Sequence, residues 1–296
     1  MVRWRSGSRR PASWPGVLLL LGGVASSCAD VPARLAFERH SEPVAMRDLE
    51  RLRAAVPAQP VSVFDPYEER AVEFEAFAFD AVLDAVYGRG WRDEEEVLFR
   101  CRDGYQPTVP VERILAHRAW LAFARRDRND FTLRKRESGV VKRIELAPFY
   151  LVWDNLEDPA LRADGDYGWP YQLIALNMIR ARDHFPKMAP AASAPAAVQA
   201  GFGAFRVHCS RCHTINGEGG SIGPELNGAA PAVEVRDAAW LRRWIDEPSR
   251  VLETARMPRI NPTLPDRERV IDDIIHYLQA MAAARAATAT ETPNGG

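Results

Sequence analysis

Cys209-Ser210-Arg211-Cys212-His213 is the stretch on which the reading of this 296-residue chain turns. Its C-x-x-C-H spacing is the one that attaches a c-type haem. Residues three apart on a helical turn are neighbours on one face, so two thiols can add to the two vinyl groups of the ring while the next imidazole reaches the iron. Cys209 and Cys212 are the expected thioether anchors, and His213 is the expected proximal ligand. Two thiols at this spacing also suit a redox dithiol or half of a zinc site. A zinc site needs a second Cys or His pair, and Cys101 with the scattered His40, His117 and His184 does not supply one.

The sixth position of the iron separates electron transfer from ligand chemistry. A methionine sulfur fills it and raises the potential, whereas an open position admits small molecules. Three later side chains are candidates. Met257 stands in Glu253-Thr254-Ala255-Arg256-Met257-Pro258-Arg259, near Pro248, Pro262 and Pro265, so a loop is expected there, and a lone Met between arginines has no core to fill. His276 and Met281 fall where Val270, Ile271, Ile274, Ile275 and Leu278 recur at helical spacing, and core packing accounts for Met281. His208 precedes the first anchor cysteine on the same turn and is expected to point away from the distal side. Met257 is the expected sixth ligand.

From residue 200 to 281 the chain resembles a class I cytochrome c, and the likeness extends beyond the haem motif. Gly201 and Phe205 match the small and aromatic positions of the family's N-terminal helix, which crosses a C-terminal helix here bearing Tyr277-Leu278. Gly223-Pro224-Glu225-Leu226 matches the loop after the haem motif, Leu241, Trp244, Ile245 and Pro248 the middle helix, and Met257-Pro258 the distal loop. The resemblance implies one covalent haem c with His213 and Met257 as axial ligands, and a Pro224 carbonyl that accepts a hydrogen bond from the His213 ring. Such a bond orients the imidazole and makes it a better donor. It also implies periplasmic or membrane redox proteins as electron donor and acceptor.

Outward from this segment, the chain begins with an address. Arg3, Arg5, Arg9 and Arg10 precede an apolar run at residues 17–21 and the small residues Ala25, Ser26 and Ser27, the order of a secretory signal over residues 1–27. That run is shorter than the ~20 residues that cross a bilayer. Small residues ending in Cys28 resemble the lipobox of bacterial lipoproteins, although Ala25 stands where that family prefers Leu; the resemblance implies lipid attachment at Cys28 and a membrane anchor in the periplasm. Ordinary cleavage after Ala29 is the alternative.

Composition narrows the remaining classes. With 47% hydrophobic and 27% charged residues the chain is globular, and 39 basic against 40 acidic side chains provide no field for nucleic acid. An Ala/Pro-rich stretch at 186–198 reads as a linker, and residues 284–296 as a flexible tail. The expected order is therefore a signal (1–27), an N-terminal segment (28–56), a mixed domain (57–185), the linker, a helical domain (199–283) and the tail.

Residues 57–185 read as α+β. Val97-Leu98-Phe99-Arg100-Cys101 and Phe149-Tyr150-Leu151-Val152-Trp153 are strand-like, and residues 80–87 form a short helix stopped by Gly88. The pieces Phe74-Glu75-Ala76-Phe77, Val82-Leu83-Asp84, Asp103-Gly104-Tyr105, Leu121-Ala122 and residues 145–152 resemble, in their order, the molybdopterin-binding domain of the sulfite oxidase family. That family holds molybdenum with a cysteine upstream of the first piece, and Val61-Ser62-Val63-Phe64-Asp65-Pro66 has none, so molybdopterin is not expected. The fold class expected is multidomain: a sulfite-oxidase-like α+β domain, cofactor-free and serving docking or structure, followed by an all-α cytochrome c domain. A cluster from Arg125 to Arg143, with Arg126, Arg128, Arg134, Lys135, Arg136 and Lys142, reads as a solvated hairpin that would steer an acidic partner if it formed one patch. The function expected is single-electron transfer; a molybdenum oxidoreductase with a fused haem domain, and a haem sensor or peroxidase, are the alternatives.

Overall fold

Residues 34–137, 140–165 and 168–291 are described by the computed structural model; the signal and Cys28 lie outside them. The first strands are β1 (Arg34–Arg39) and β2 (Glu42–Asp48), followed by helix α1 (Leu49–Ala55), whose first turn is capped by the Asp48 carboxylate. Next come β3 (Ala58–Asp65), β4 (Arg70–Ala78) and helix α2 (Phe79–Tyr87), which ends at Gly88 as its sequence predicts. Strands β5 (Glu96–Cys101) and β6 (Thr108–Pro110), helix α3 (Val111–Ala116), β7 (Ala119–Arg125), the hairpin β8 (Thr132–Glu137) and β9 (Val140–Glu145), β10 (Tyr150–Trp153), α4 (Pro159–Ala163), β11 (Leu173–Ile179) and α5 (Ala181–His184) complete this part.

Apart from the β8/β9 hairpin, these strands build two sheets. One has the order β2-β1-β11-β5-β6 and the other β10-β7-β4-β3. Strand β1 runs parallel to β11, with Ala36 opposite Ala175, so a strand starting at Arg34 is an integral member of the sheet. Residues 34–56 therefore belong to the α/β part, which a boundary drawn from composition does not capture. Side chains from both sheets, among them Phe37, Phe74, Phe99 and Tyr150, share one core.

Strand parity explains why Val97-Leu98-Phe99 reads as an unbroken apolar run. Val97, Phe99 and Cys101 face that first core, while Leu98, one residue out of phase, joins a second core with Ile179, Phe185 and Met188. The second core is otherwise made by the C-terminal helices. These are α6 (Ala196–His208), α7 (Ala232–Val235), α8 (Ala238–Asp246), α9 (Pro248–Val251) and α10 (Arg267–Glu291), with a two-residue hairpin of β12 (Thr214–Ile215) and β13 (Glu218–Gly219) between α6 and α7. The expected all-α region thus contains one short hairpin, and the outer face of a sheet packs against its helices. The described residues all fall in one compact unit.

Two further departures concern segments poor in large apolar residues. Met188 is fully buried in the expected linker, where the Tyr277 hydroxyl donates to its carbonyl (2.8 Å) and its N–H donates to Glu218 (2.8 Å). Helix α10 continues to Glu291, past the residue where a flexible tail was expected to begin.

The cationic cluster does not form one exposed patch. The Arg125 side chain is fully buried, donating to Glu68 (2.8 Å), to the Thr132 carbonyl (2.9 Å) and through two nitrogens to Asp127 (2.7 and 2.8 Å). Arg128 also approaches Glu68, and Arg126 pairs with Glu75 at 2.6 Å. Arg134, Lys135, Lys142 and Arg143 do lie on the expected hairpin. The Arg125 guanidinium, helped by Arg70, holds the Asp127 carboxyl well below the ordinary carboxylate range. A carboxyl depressed on folding contributes stability that is complete above its unfolded pKa near ~3.9 and is lost as pH falls toward the folded value. Asp127→Asn is expected to lower stability at neutral pH and to flatten the decline below about pH 4, as read by denaturant unfolding across pH.

Candidate functional site

Helix α6 delivers the C-x-x-C-H motif and ends on it. The chain continues as a hydrogen-bonded turn in which the N–H groups of Cys212 and His213 donate to the Cys209 carbonyl (3.0 and 2.9 Å), so both cysteines stay on one helical turn. The Ser210 hydroxyl donates to the Arg206 carbonyl (2.8 Å) and secures the end of the helix. Burial pushes the Cys209 thiol up to about 12.

The His213 ring is oriented from behind. Its Nδ1 lies 2.8 Å from the Pro224 carbonyl, and because a carbonyl only accepts, Nδ1 carries the proton and Nε2 keeps its lone pair for a metal. The ring also packs on Gly223, where a Cβ would come within 2.4 Å of the imidazole, so this position has room for glycine alone. The Gly223 N–H donates to the Cys212 carbonyl (2.7 Å), and the Leu226 N–H to the Thr214 carbonyl (3.0 Å), folding the loop back over the motif.

Glu225 organises that loop, a role its sequence position did not disclose. Its carboxylate accepts backbone N–H bonds from Asn216 (3.0 Å), Gly217 (2.9 Å) and Asn227 (2.8 Å). Burial opposes its ionisation, but these donors and the Thr214 hydroxyl outweigh that and hold the pKa below the ordinary value. Asn227, itself buried, donates to the Met281 carbonyl (3.1 Å) and so fastens the loop to α10. The available signal was an acidic residue amid Asn and Gly positions, whose turns leave N–H groups without helical or strand partners.

Opposite the motif the chain leaves a mostly apolar cavity of about 580 Å³. Cys209, Cys212, His213, Pro224 and Met257 all line it. Met257 lies outside any helix, half-buried, as its proline-rich context predicts. The other candidates are elsewhere: Met281 is buried in the helical core and His276 is exposed. His208 reaches the cavity wall too, so it does not turn away from the chamber altogether. Trp240 and Trp244 stack at 5.2 Å between ring centroids and line the chamber, where sequence alone would assign them to core.

These residues fit a haem. Two thiols one turn apart, an imidazole held with Nε2 available, a thioether sulfur and aromatic walls face one chamber of ligand-pocket size. Among the described residues no group of three or more His, Cys, Asp or Glu gathers to hold a bare metal ion.

Residues 198–282 match the Cytochrome c family model. This segment is a cytochrome c domain. The match implies covalently bound haem c and a haem-based electron carrier that works with redox partner proteins. It does not extend to the α/β part, and no match was found among curated proteins.

The cytochrome c domain closes through its first and last helices. Gly201 on α6 lies where an added Cβ would be 1.9 Å from the Asp273 carbonyl oxygen and 2.8 Å from the Tyr277 Cβ, so α6 and α10 cross nearly backbone to backbone. Phe202 and Phe205 then pack against the Tyr277 ring at 5.8 and 5.2 Å.

Proposed function

We propose that this protein is a periplasmic carrier of single electrons with one covalent haem c, anchored by thioethers at Cys209 and Cys212 and ligated by His213 and Met257. The observation that carries this reading is the meeting of both thiols, Met257 and a His213 ring held by Pro224 around one apolar cavity. Bound haem supplies a reversible one-electron couple whose potential depends on axial ligands, burial and hydrogen bonding. The residues of the chain do the rest. Pro224 fixes the His213 tautomer, Met257 offers a soft sulfur, and Trp240, Leu241, Ile260 and Leu278 keep water from the chamber. Ile222 and Val235 line the same cavity and are 53% and 52% exposed, which makes them an apolar rim for a redox partner.

The α/β part is read as a relative of the molybdopterin-binding domain of the sulfite oxidase family that serves docking or structure without the cofactor. Cys101 is no substitute for the absent ligand: it is buried in the sheet core, and burial pushes its thiol far up, away from the thiolate a metal requires. Lipidation at Cys28 would tether the protein to the membrane surface. No helix among the described residues is long and apolar enough to cross a membrane.

Elemental analysis of protein isolated from the periplasm of its source cells, with a pyridine haemochrome spectrum, tests the reading. The expected result is one iron per chain, a spectrum of two thioether bonds, and no molybdenum. Stoichiometric molybdenum would mean a self-contained oxidoreductase.

A further inference from the structure

A turn of the α/β part touches the haem-attachment segment. Residues 103–106 follow β5 and lie over the dipeptide between the anchor cysteines. The Gln106 N–H donates to the Arg211 carbonyl (2.9 Å), the Ser221 N–H to the Gly104 carbonyl (3.2 Å) and the Gln106 side-chain amide to the Gly219 carbonyl (3.4 Å). Gly104 has φ +90°, and a Cβ there would come within 2.5 Å of the Ser221 hydroxyl, so the approach depends on glycine. The Arg211 guanidinium is held from both sides: Nη1 donates to the Tyr105 hydroxyl (3.4 Å) and Nε to the His208 carbonyl (3.3 Å).

Arg211 is a permanent cation, and it lines the cavity that holds His213 and Met257. A positive charge beside an iron centre penalises the ferric state more than the ferrous one, because oxidation adds a positive charge nearby. The penalty grows where water is excluded. A fixed guanidinium therefore raises the reduction potential more than one that swings into solvent.

We propose that Tyr105, on its 103–106 turn, is a positioning residue for the haem centre: it holds the Arg211 guanidinium beside the anchor cysteines and thereby raises the haem reduction potential. The proposal rests on the reading of the cavity as a haem site. It makes the α/β part a tuning element of the electron carrier as well as a docking or structural one.

Potentiometric titration of the full-length, haem-loaded protein tests it, using Tyr105→Phe, Arg211→Gln, Arg211→Lys and the double variant Tyr105→Phe/Arg211→Gln. Arg211→Gln is expected to lower the potential, so that at the wild-type midpoint the reduced-to-oxidised ratio falls roughly threefold or more. Tyr105→Phe shifts it in the same direction by less, Arg211→Lys, which keeps the charge but not the held fork, falls less than Arg211→Gln, and the double variant goes no lower than Arg211→Gln, because the phenol acts only through the guanidinium. Hydrogen exchange at the Gln106 amide reports whether the turn is still seated in Tyr105→Phe. A seated turn with an unchanged potential overturns the proposal. So does a Tyr105→Phe shift that adds in full to that of Arg211→Gln, or a fall in Arg211→Lys equal to that in Arg211→Gln. If the turn is released, the potential must fall at least as far as with the turn seated, and an unchanged value again overturns the proposal. Wild-type protein without thioether-bound haem overturns the haem reading as well, a result distinct from a loaded protein whose potential ignores Tyr105.

Discussion

Met257→Ala is expected to convert a protein whose reduced form resists carbon monoxide into one that binds it rapidly and stoichiometrically. On the proposed His213/Met257 ligation the thioether sulfur closes the sixth position; alanine leaves it open to water or a small ligand. The potential should fall with it, by on the order of 0.1 V within the ~0.8 V range that axial ligands span, since sulfur favours the ferrous state. The fold has little reason to suffer. Met257 is half-buried in a loop, and the helices and their hydrogen bonds lie elsewhere. Unchanged carbon monoxide binding, with an unchanged reduced spectrum, would remove Met257 from the ligand set and turn attention to His208, which shares the cavity wall.

Gly201→Val should have the largest effect on stability. The obstacle is the Asp273 carbonyl, which belongs to the backbone of α10, so no rotamer change relieves it and the two helices must separate. Overpacking of this kind costs about 3 kcal/mol or more, a large share of the roughly 5–15 kcal/mol that holds a domain together. A lowered denaturation midpoint, or loss of haem-loaded protein on expression, is the expected readout. Gly203, two residues along the same helix, has nothing within 4 Å of its Cβ direction, so Gly203→Ala should stabilise by up to about 1 kcal/mol through helix propensity. Equal behaviour of the two variants would contradict the close crossing.

The readings that succeeded depend on short range in sequence. The turn that keeps Cys209 and Cys212 together, the Gly88 stop of α2 and the loop around Met257 each follow from spacing, cap chemistry or proline content within a few residues. The bond from the His213 ring to the Pro224 carbonyl and the close approach of Gly201 to α10 are implied by family likeness, and both contacts are present in the fold. The readings that failed treated composition as if it recorded position. Composition counts Arg125 with surface cations because charge usually is exposed, yet Glu68, distant in sequence, comes to meet it. Its Ala and Pro neighbours put Met188 in a connector, yet Glu218 and Tyr277 bind its backbone.

What the sequence determined by itself is the chemistry of the C-terminal part: the cysteine spacing, the following histidine and the apolar period of the last helix specify a haem-binding helical domain. Only the tertiary structure decided that Leu98 and Ile179 join the helical core, that Glu225 organises the haem loop, and that residues 103–106 rest on the attachment segment. The reason is physical. Local patterns report which groups a segment must bury or satisfy, whereas the partner that satisfies them is chosen by the packing of elements far apart in the chain.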